Sequence, residues 1–159
     1  MKKLLKTVSL LLVLCLAFAA LAACGNKSKD KKTGDETPLK DNYEEAEKQI
    51  KTAFQAWINE TFGDKIADSK ITVEKIYNTE EEQKDEMLKD YKLGPNEVAF
   101  EVYYELKPAE GVDPNLLISA SGDYDAESGW VKELFNLGVL RPSDTAESGY
   151  IVTNIGTGW

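Results

Sequence analysis

The stretch EVAFEVYYELK, residues 97–107, alternates between apolar and polar side chains without a slip. One face would carry Val98, Phe100, Val102, Tyr104 and Leu106; the other would carry Ala99, Glu101, Tyr103, Glu105 and Lys107. Since successive side chains of a β-strand point to opposite faces of a sheet, this period of two predicts a strand with one buried face. Such a strand needs a second layer to cover it.

Upstream, residues 42–62 supply a candidate for that layer. Their apolar residues fall on one face of a helix with a 3.6-residue period: Ala46, Ile50, Ala53, Phe54, Trp57 and Ile58. Asn42 followed by Glu45 is typical of a helix N-terminus, and Gly63 is typical of a C-terminal stop. The segment predicts a long amphipathic helix. Thr79 and Glu82 predict a capping box for a second, shorter helix that ends near Tyr91.

The remaining residues predict further strands. Residues 71–77 form a short β-rich run, and residues 115–156 predict a meander of three strands that begins at Leu116. The segments AESGWV (126–131) and AESGYI (146–151) resemble each other, and both predict a hairpin turn whose glycine takes a positive φ. Residues 130–137 also fit a short helix, although the preceding turn favours a strand.

Together these elements predict an α+β domain over residues 41–159. We expect a long amphipathic N-terminal helix packed on a curved antiparallel sheet of about five strands, with a short second helix. This order of elements resembles the NTF2-like members of the cystatin-like α+β roll. The resemblance implies a sheet that wraps a helix and often leaves a conical pocket. Members of that fold include isomerases, dehydratases and pure binding modules, so the fold by itself does not select a function.

The first residues predict export. A basic start (MKKLLK) precedes an apolar core and a zone of small residues, which is typical of a secretory signal peptide over residues 1–23. Leu21-Ala22-Ala23-Cys24 resembles the lipobox of bacterial lipoproteins. That resemblance implies cleavage between Ala23 and Cys24, a diacylglyceryl group on Cys24, and a location on the extracytoplasmic face of the cell membrane. Residues 24–40 hold one large apolar residue, Leu39, which predicts a disordered tether.

Composition excludes several kinds of function. The chain has no histidine, and its two cysteines, Cys15 and Cys24, would be removed or lipidated, so a Ser-His-Asp site, a cysteine nucleophile and a disulfide are excluded from the domain. Residues 41–159 contain 11 basic and 25 acidic residues, about −14 in net charge. Such an acidic domain argues against nucleic-acid binding. No cofactor is predicted.

Four groups of residues are candidates for chemistry or binding. If 130–140 is a regular strand, Glu133 shares an apolar face, where burial would raise its pKa and suit it to acid–base work. Isomerases of the resembled fold use a pocket carboxylate with a tyrosine, here Tyr104. The alternative is a β-bulge or a helical turn that leaves Glu133 in water. Tyr103, between Glu101 and Glu105, is a candidate for a cationic or sugar partner, or it only covers the sheet.

Asp123, Asp125 and Glu127 have the spacing of the first three ligands of a calcium loop. The pattern then fails at Ser128 and Leu134, where a glycine and a glutamate are required, so an EF-hand is excluded and a solvated hairpin tip is favoured over a looser calcium site. The leading hypothesis is therefore a lipid-anchored, non-catalytic domain that binds a small molecule or an envelope protein. The alternatives are a pocket enzyme of the isomerase or hydratase type and a calcium-stabilised envelope protein.

Overall fold

The computed structural model describes residues 39–156 except 87, 89, 90 and 95. This part of the chain is an α+β domain with one α-helix packed on an open antiparallel sheet of five strands. The elements are α1 (Tyr43–Phe62), β1 (Ile66–Tyr77), β2 (Val98–Pro108), β3 (Asp123–Asp125), β4 (Trp130–Pro142) and β5 (Tyr150–Gly156). Short 3-10 turns lie at Leu39–Asp41, Gly63–Lys65, Glu82–Lys84 and Pro114–Leu116.

Strand β4 is the centre of the sheet. One edge of β4 pairs with β2, which in turn pairs with β1. The other edge pairs with β3 at Trp130–Lys132 and with β5 at Leu137–Pro142. Strands β1 and β5 are therefore the two outer strands where the sheet is widest. The turns between β3 and β4 and between β4 and β5 lie where the two AESG segments predict them, and Gly129 and Gly149 have φ of 75° and 78°.

Helix α1 confirms the prediction from its apolar stripe. The side chain of Asn42 accepts a hydrogen bond from the backbone N–H of Glu45 at 3.2 Å, and the Gly63 N–H donates to the carbonyl of Asn59. The helix buries its stripe against the predicted inner face of β2, all five residues of which are buried. The helix begins at Tyr43 and is therefore not at the N-terminus of the chain.

The predicted second helix is wrong for the residues that the structure describes after Thr79. The capping box forms, with the Glu82 N–H donating to Thr79 Oγ1 at 3.1 Å, but the chain continues only as a 3-10 turn at Glu82–Lys84. A short helix needs an apolar face to pack, because nucleation alone is unfavourable. Among the described residues of this segment, Leu88 is buried against the sheet, where it packs with Tyr77 and Leu137.

The segment after β1 therefore gives the sheet a second buried face that the sequence did not predict. Ala99, assigned to the polar side of β2, is fully buried in this outer cluster. The Tyr77 hydroxyl donates a hydrogen bond to Glu101, and Lys75 Nζ lies 4.1 Å from the centre of the Tyr77 ring. Burial, together with the negative charge of Glu101, raises the pKa of Tyr77 well above its usual value.

That raised pKa predicts an alkaline loss of stability. In the unfolded chain Tyr77 loses its proton near pH 10, whereas the folded protein retains it, so stability falls as pH rises above about 10. Tyr77→Phe should be less stable than the parent at pH 8, with a difference that narrows above pH 10. Urea unfolding between pH 8 and pH 11 measures this difference. Tyr103→Phe, which removes an exposed hydroxyl from the same face, is the control; stability curves of Tyr77→Phe that stay parallel to the parent's would contradict the prediction.

The inner face contains one buried polar side chain, Asn136, at 0% exposure and opposite Val102 on β2. Neither atom of its amide has a hydrogen-bond partner among the described residues. Because an unsatisfied buried amide costs about 1–3 kcal/mol, Asn136→Val should raise the free energy of unfolding by roughly that amount. Chemical denaturation measures the change, and Thr153→Val, on the partly exposed neighbouring strand, is the control. A loss of stability in Asn136→Val would contradict this prediction.

The predicted strand at Leu116 is also wrong. Pro114–Leu116 forms a 3-10 turn in which Asp113 caps the N–H of Asn115, and Leu117 is buried in the core. The next strand, β3, starts at Asp123 and has three residues. The predicted signal peptide, the lipobox with Cys24 and most of the predicted tether lie outside the described residues.

Candidate functional site

An open groove of about 650 Å³ lies between α1 and the chain around the start of β5. The helix contributes residues from successive turns: Thr52, Ala53, Ala56, Trp57 and Glu60. The two alanines are small, so they leave space above the helix backbone. The Trp57 ring forms part of the wall and is held from behind by Phe54, whose ring centre is 4.9 Å away. The helix therefore supplies a small-residue floor and one fixed aromatic group.

The opposite wall is the turn between β4 and β5 together with the first residues of β5. The Ser143 N–H donates to the Gly149 carbonyl at 2.8 Å and closes the turn. Ser148 Oγ donates to the Tyr150 carbonyl at 2.8 Å, which fixes the chain where it enters the strand. Ala146, Glu147 and Tyr150 line the groove from this side.

Charge in the groove has one sign. Glu60 lines it from the helix and Glu147 from the turn, and none of the described residues that line it is a lysine or an arginine. The domain around it is also strongly acidic, with 25 acidic against 11 basic residues over 41–159. Two carboxylates beside aromatic and aliphatic walls favour a ligand that combines a positive charge with an apolar body.

The expectation that Glu133 shares a buried apolar face is wrong. Leu106 of β2 pairs with Val131 and Tyr104 pairs with Leu134, so β4 has one more residue than β2 between these pairs. That extra residue makes a β-bulge, and Glu133 within it has φ of 57° and is exposed. Val131 and Leu134 thereby both face the core, and the carboxylate of Glu133 lies in solvent, as the bulge alternative predicts.

Tyr104 lies in the core, at 2% exposure. Its ring packs against Phe54 at 5.3 Å and Trp57 at 6.2 Å, and burial raises the pKa of Tyr104 above its usual value. Neither Tyr104 nor Glu133 lines the groove. The structure therefore does not bring the predicted carboxylate and tyrosine into one pocket.

The calcium candidates belong to the hairpin of β3 and β4. Asp125 accepts hydrogen bonds from the N–H groups of Glu127 and Ser128, and its other oxygen lies 2.6 Å from Lys132 Nζ. These donors hold the pKa of Asp125 well below its usual value, the hydrogen bond from Lys132 contributing most. Asp125 is thus used to build the turn. Asp123, Asp125 and Glu127 do not converge, and no group of three or more acidic, cysteine or histidine side chains suited to a metal occurs in the described part of the chain.

Tyr103 lies on the outer face at 44% exposure and packs on Phe135 at 5.3 Å between ring centres. The neighbouring carboxylates have partners inside the protein: Glu101 accepts from Tyr77, and Glu105 pairs with Lys70 at 2.8 Å. This arrangement fits the interpretation that Tyr103 covers the sheet, since the acids that would frame a cationic partner are already paired.

The sequence did not predict the groove, although it predicted both elements that form its walls, helix α1 and the turn before β5. The helix stripe was assigned to the core, yet Trp57 at its edge is only half-buried and Ala56 is exposed. The sequence feature that could have indicated the groove is an alanine next to a tryptophan at the border of the apolar stripe. Nothing in the local pattern says that the turn after β4 lies opposite.

Within the ranges that the structure describes, no helix is both long enough and apolar enough to cross a membrane. No family model, curated protein or solved structure matches this chain.

Proposed function

We propose that this protein is an extracytoplasmic lipoprotein, anchored to the membrane through Cys24, whose domain binds a ligand without catalysing a reaction. The observation that carries the binding part is the groove between α1 and β5, which has apolar walls and two carboxylates as its charged groups. The anchoring part rests on the lipobox sequence Leu21-Ala22-Ala23-Cys24. A diacylated cysteine carries two acyl chains, enough for stable membrane attachment.

The ligand that suits the groove is an organic cation with an apolar body. Trp57 and Tyr150 place aromatic side chains at the groove, and Glu60 and Glu147 supply negative charge there. Ala53 and Ala56 leave room for the apolar part. We further propose that the helix and sheet form a roll of the NTF2-like kind, supported by helix α1 packed on the five-stranded antiparallel sheet of the described residues.

The test uses three compounds with the same body and different charge: 2-phenylethylammonium, 2-phenylethanol and phenylacetate. We expect the cation to shift the indole N–H resonance of Trp57 in an NMR titration, the alcohol to bind about tenfold more weakly, and the anion to cause no shift. The full-length protein in neutral detergent micelles is the sample. Equal effects of all three compounds, or no shift with any, would contradict the proposal.

The charge dependence has a matched control. Glu60→Gln combined with Glu147→Gln should bring the affinity of the cation close to that of the alcohol, because the apolar walls remain. Glu44→Gln combined with Glu110→Gln changes the net charge equally at two exposed residues that do not line the groove. That control should keep the cation preference. If it loses the preference as well, the general charge of the domain is responsible and the groove is not the site.

A further inference from the structure

The two outer strands of the sheet differ in how their free edges are protected. Natural proteins guard an edge strand with charged side chains, prolines or β-bulges, because its unpaired backbone groups can pair with another chain. Strand β1 has charged residues along its length (Asp68, Lys70, Glu74 and Lys75) and two register shifts, at Ile66/Asp68 and at Val73/Lys75. This edge is guarded by both means.

Strand β5 has neither means of protection between Tyr150 and Asn154. Its sequence, YIVTNIG, contains no charged residue and no proline, and four of its seven residues are β-branched. Its register shift lies at the far end, beside Leu137 and Gly138 of β4. Within the described residues β5 pairs with β4 alone, so its outer edge forms no ladder. Residue composition and pairing both mark this edge as suited to a further strand.

The first three residues of this same strand line the groove. Tyr150 and Val152 pack toward the inner core, whereas Ile151 between them points to the other face and is 44% exposed, as alternation in a strand requires. All three nevertheless line the groove. Lining by neighbouring residues of both faces is expected of a groove along the edge of a strand, and an occupant there would lie beside the outer edge of β5.

We propose that the groove takes an extended, basic segment of a partner protein, which adds as a further strand to the outer edge of β5. Backbone hydrogen bonds to β5 would supply affinity, while alternate side chains would reach the apolar floor and the carboxylates Glu60 and Glu147. A second copy of this chain is disfavoured as the occupant. Each domain carries 25 acidic against 11 basic residues, and pairing two β5 edges would bring four of these groove carboxylates together.

This inference rests on the proposed cation-binding groove, and the experiment separates the two. The test compounds are the peptide KVKVKVK, an N-methylated form of it, and the acidic peptide EVEVEVE. The N-methyl groups are on the central valine and an adjacent lysine, so they block backbone hydrogen bonding from both edges of the peptide. We expect KVKVKVK to bind the full-length protein in neutral micelles and the other two to bind at least about tenfold more weakly. Hydrogen exchange should slow at every second amide of β5 and stay unchanged in β1.

Two variants locate the binding edge. Ile151→Lys places a positive charge at an exposed residue of β5 and should weaken KVKVKVK by about tenfold or more. Thr72→Lys makes the same change of charge at an exposed residue of β1 and should leave binding within about twofold of the parent. Equal weakening by both variants would overturn the assignment to β5.

Each other outcome has a defined meaning. If the N-methylated peptide binds as tightly as KVKVKVK, strand addition is wrong and the cation-binding groove stands. If 2-phenylethylammonium binds and no peptide does, strand addition is wrong but the cation-binding groove stands. If neither the amine nor any peptide binds, both strand addition and the proposed function are wrong. A dimer in sedimentation that Ile151→Lys disrupts would identify a second copy as the occupant. Replacing Lys27, Lys29, Lys31 and Lys32 by glutamine tests whether this chain's own lysine-rich segment occupies the groove. If it does, the replacement removes a competitor and KVKVKVK binds more tightly.

Discussion

Replacing Phe54 with alanine should lower the free energy of unfolding by about 3–5 kcal/mol, the range for loss of a buried phenylalanine together with the cavity it leaves. Phe54 has 0% exposure and lies where the helix meets the sheet. Its ring centre is 4.9 Å from that of Trp57, 5.3 Å from that of Tyr104 and 6.2 Å from that of Phe100. Since domains are typically stable by only about 5–15 kcal/mol, this one change would remove a large share of the total.

Urea unfolding monitored by circular dichroism measures the loss. The control is Tyr43→Ala, which also removes an aromatic ring from α1 but at 47% exposure, and which should cost less than about 1 kcal/mol. Because Trp57 packs on Phe54, the folded fraction of Phe54→Ala should also bind 2-phenylethylammonium more weakly than the parent. A cost for Phe54→Ala no larger than that for Tyr43→Ala would show that the helix does not pack on the sheet as described.

Replacing Cys24 with alanine should abolish lipid attachment completely. The lipobox resemblance makes the Cys24 sulfur the acceptor of the diacylglyceryl group, and without it no acyl chain can be linked there. Two acyl chains bury many methylene groups at about 0.8 kcal/mol each, so their loss removes the stable membrane attachment. Metabolic labelling with an alkyne fatty acid, followed by mass spectrometry of the intact protein, measures both the lipid and the N-terminal residue.

The second cysteine provides the matched control. Cys15 lies in the apolar core of the predicted signal peptide, nine residues before Cys24, and should leave with that peptide. Cys15→Ala should therefore give the same labelled product as the parent, with Cys24 as its first residue. Labelling that persists in Cys24→Ala, or that disappears in Cys15→Ala, would contradict the anchoring proposal. Lipid labelling is the decisive readout, since an uncleaved apolar segment can itself hold a protein at a membrane.

Local pattern was sufficient wherever one segment determines its own structure. The period of two at 97–107 predicted the inner face of β2, and the 3.6-residue stripe predicted α1 with its Asn42 cap and Gly63 stop. The repeated AESG segments predicted both turns, because a glycine with positive φ is a local requirement. These features depend on residues within a few positions of one another.

The Glu133 bulge shows where the local pattern is misleading. Regular alternation would place Glu133 on the same face as Val131 and Phe135. Residues 131–135 contain no glycine that would indicate a β-bulge. The bulge arises because Val131 and Leu134 are both buried in the core opposite β2, which requires one extra residue between them. Register against a neighbouring strand, and not the strand's own sequence, decides which face a residue occupies.

The sequence by itself determined helix α1, strand β2, the two turns at Gly129 and Gly149, and the acidity of the domain. The lipid anchor is a prediction from the sequence. Only the tertiary structure decided that the outer face of β2 is partly covered, that the chain at Glu82–Lys84 forms a 3-10 turn, and that a groove separates α1 from the turn before β5. The physical reason is the distance along the chain over which each kind of interaction acts. Propensity, capping and turn geometry act over a few residues, whereas burial depends on which distant segment packs against a surface. The walls of the groove lie some 90 residues apart in the chain, so their apposition is a property of the folded sheet and helix alone.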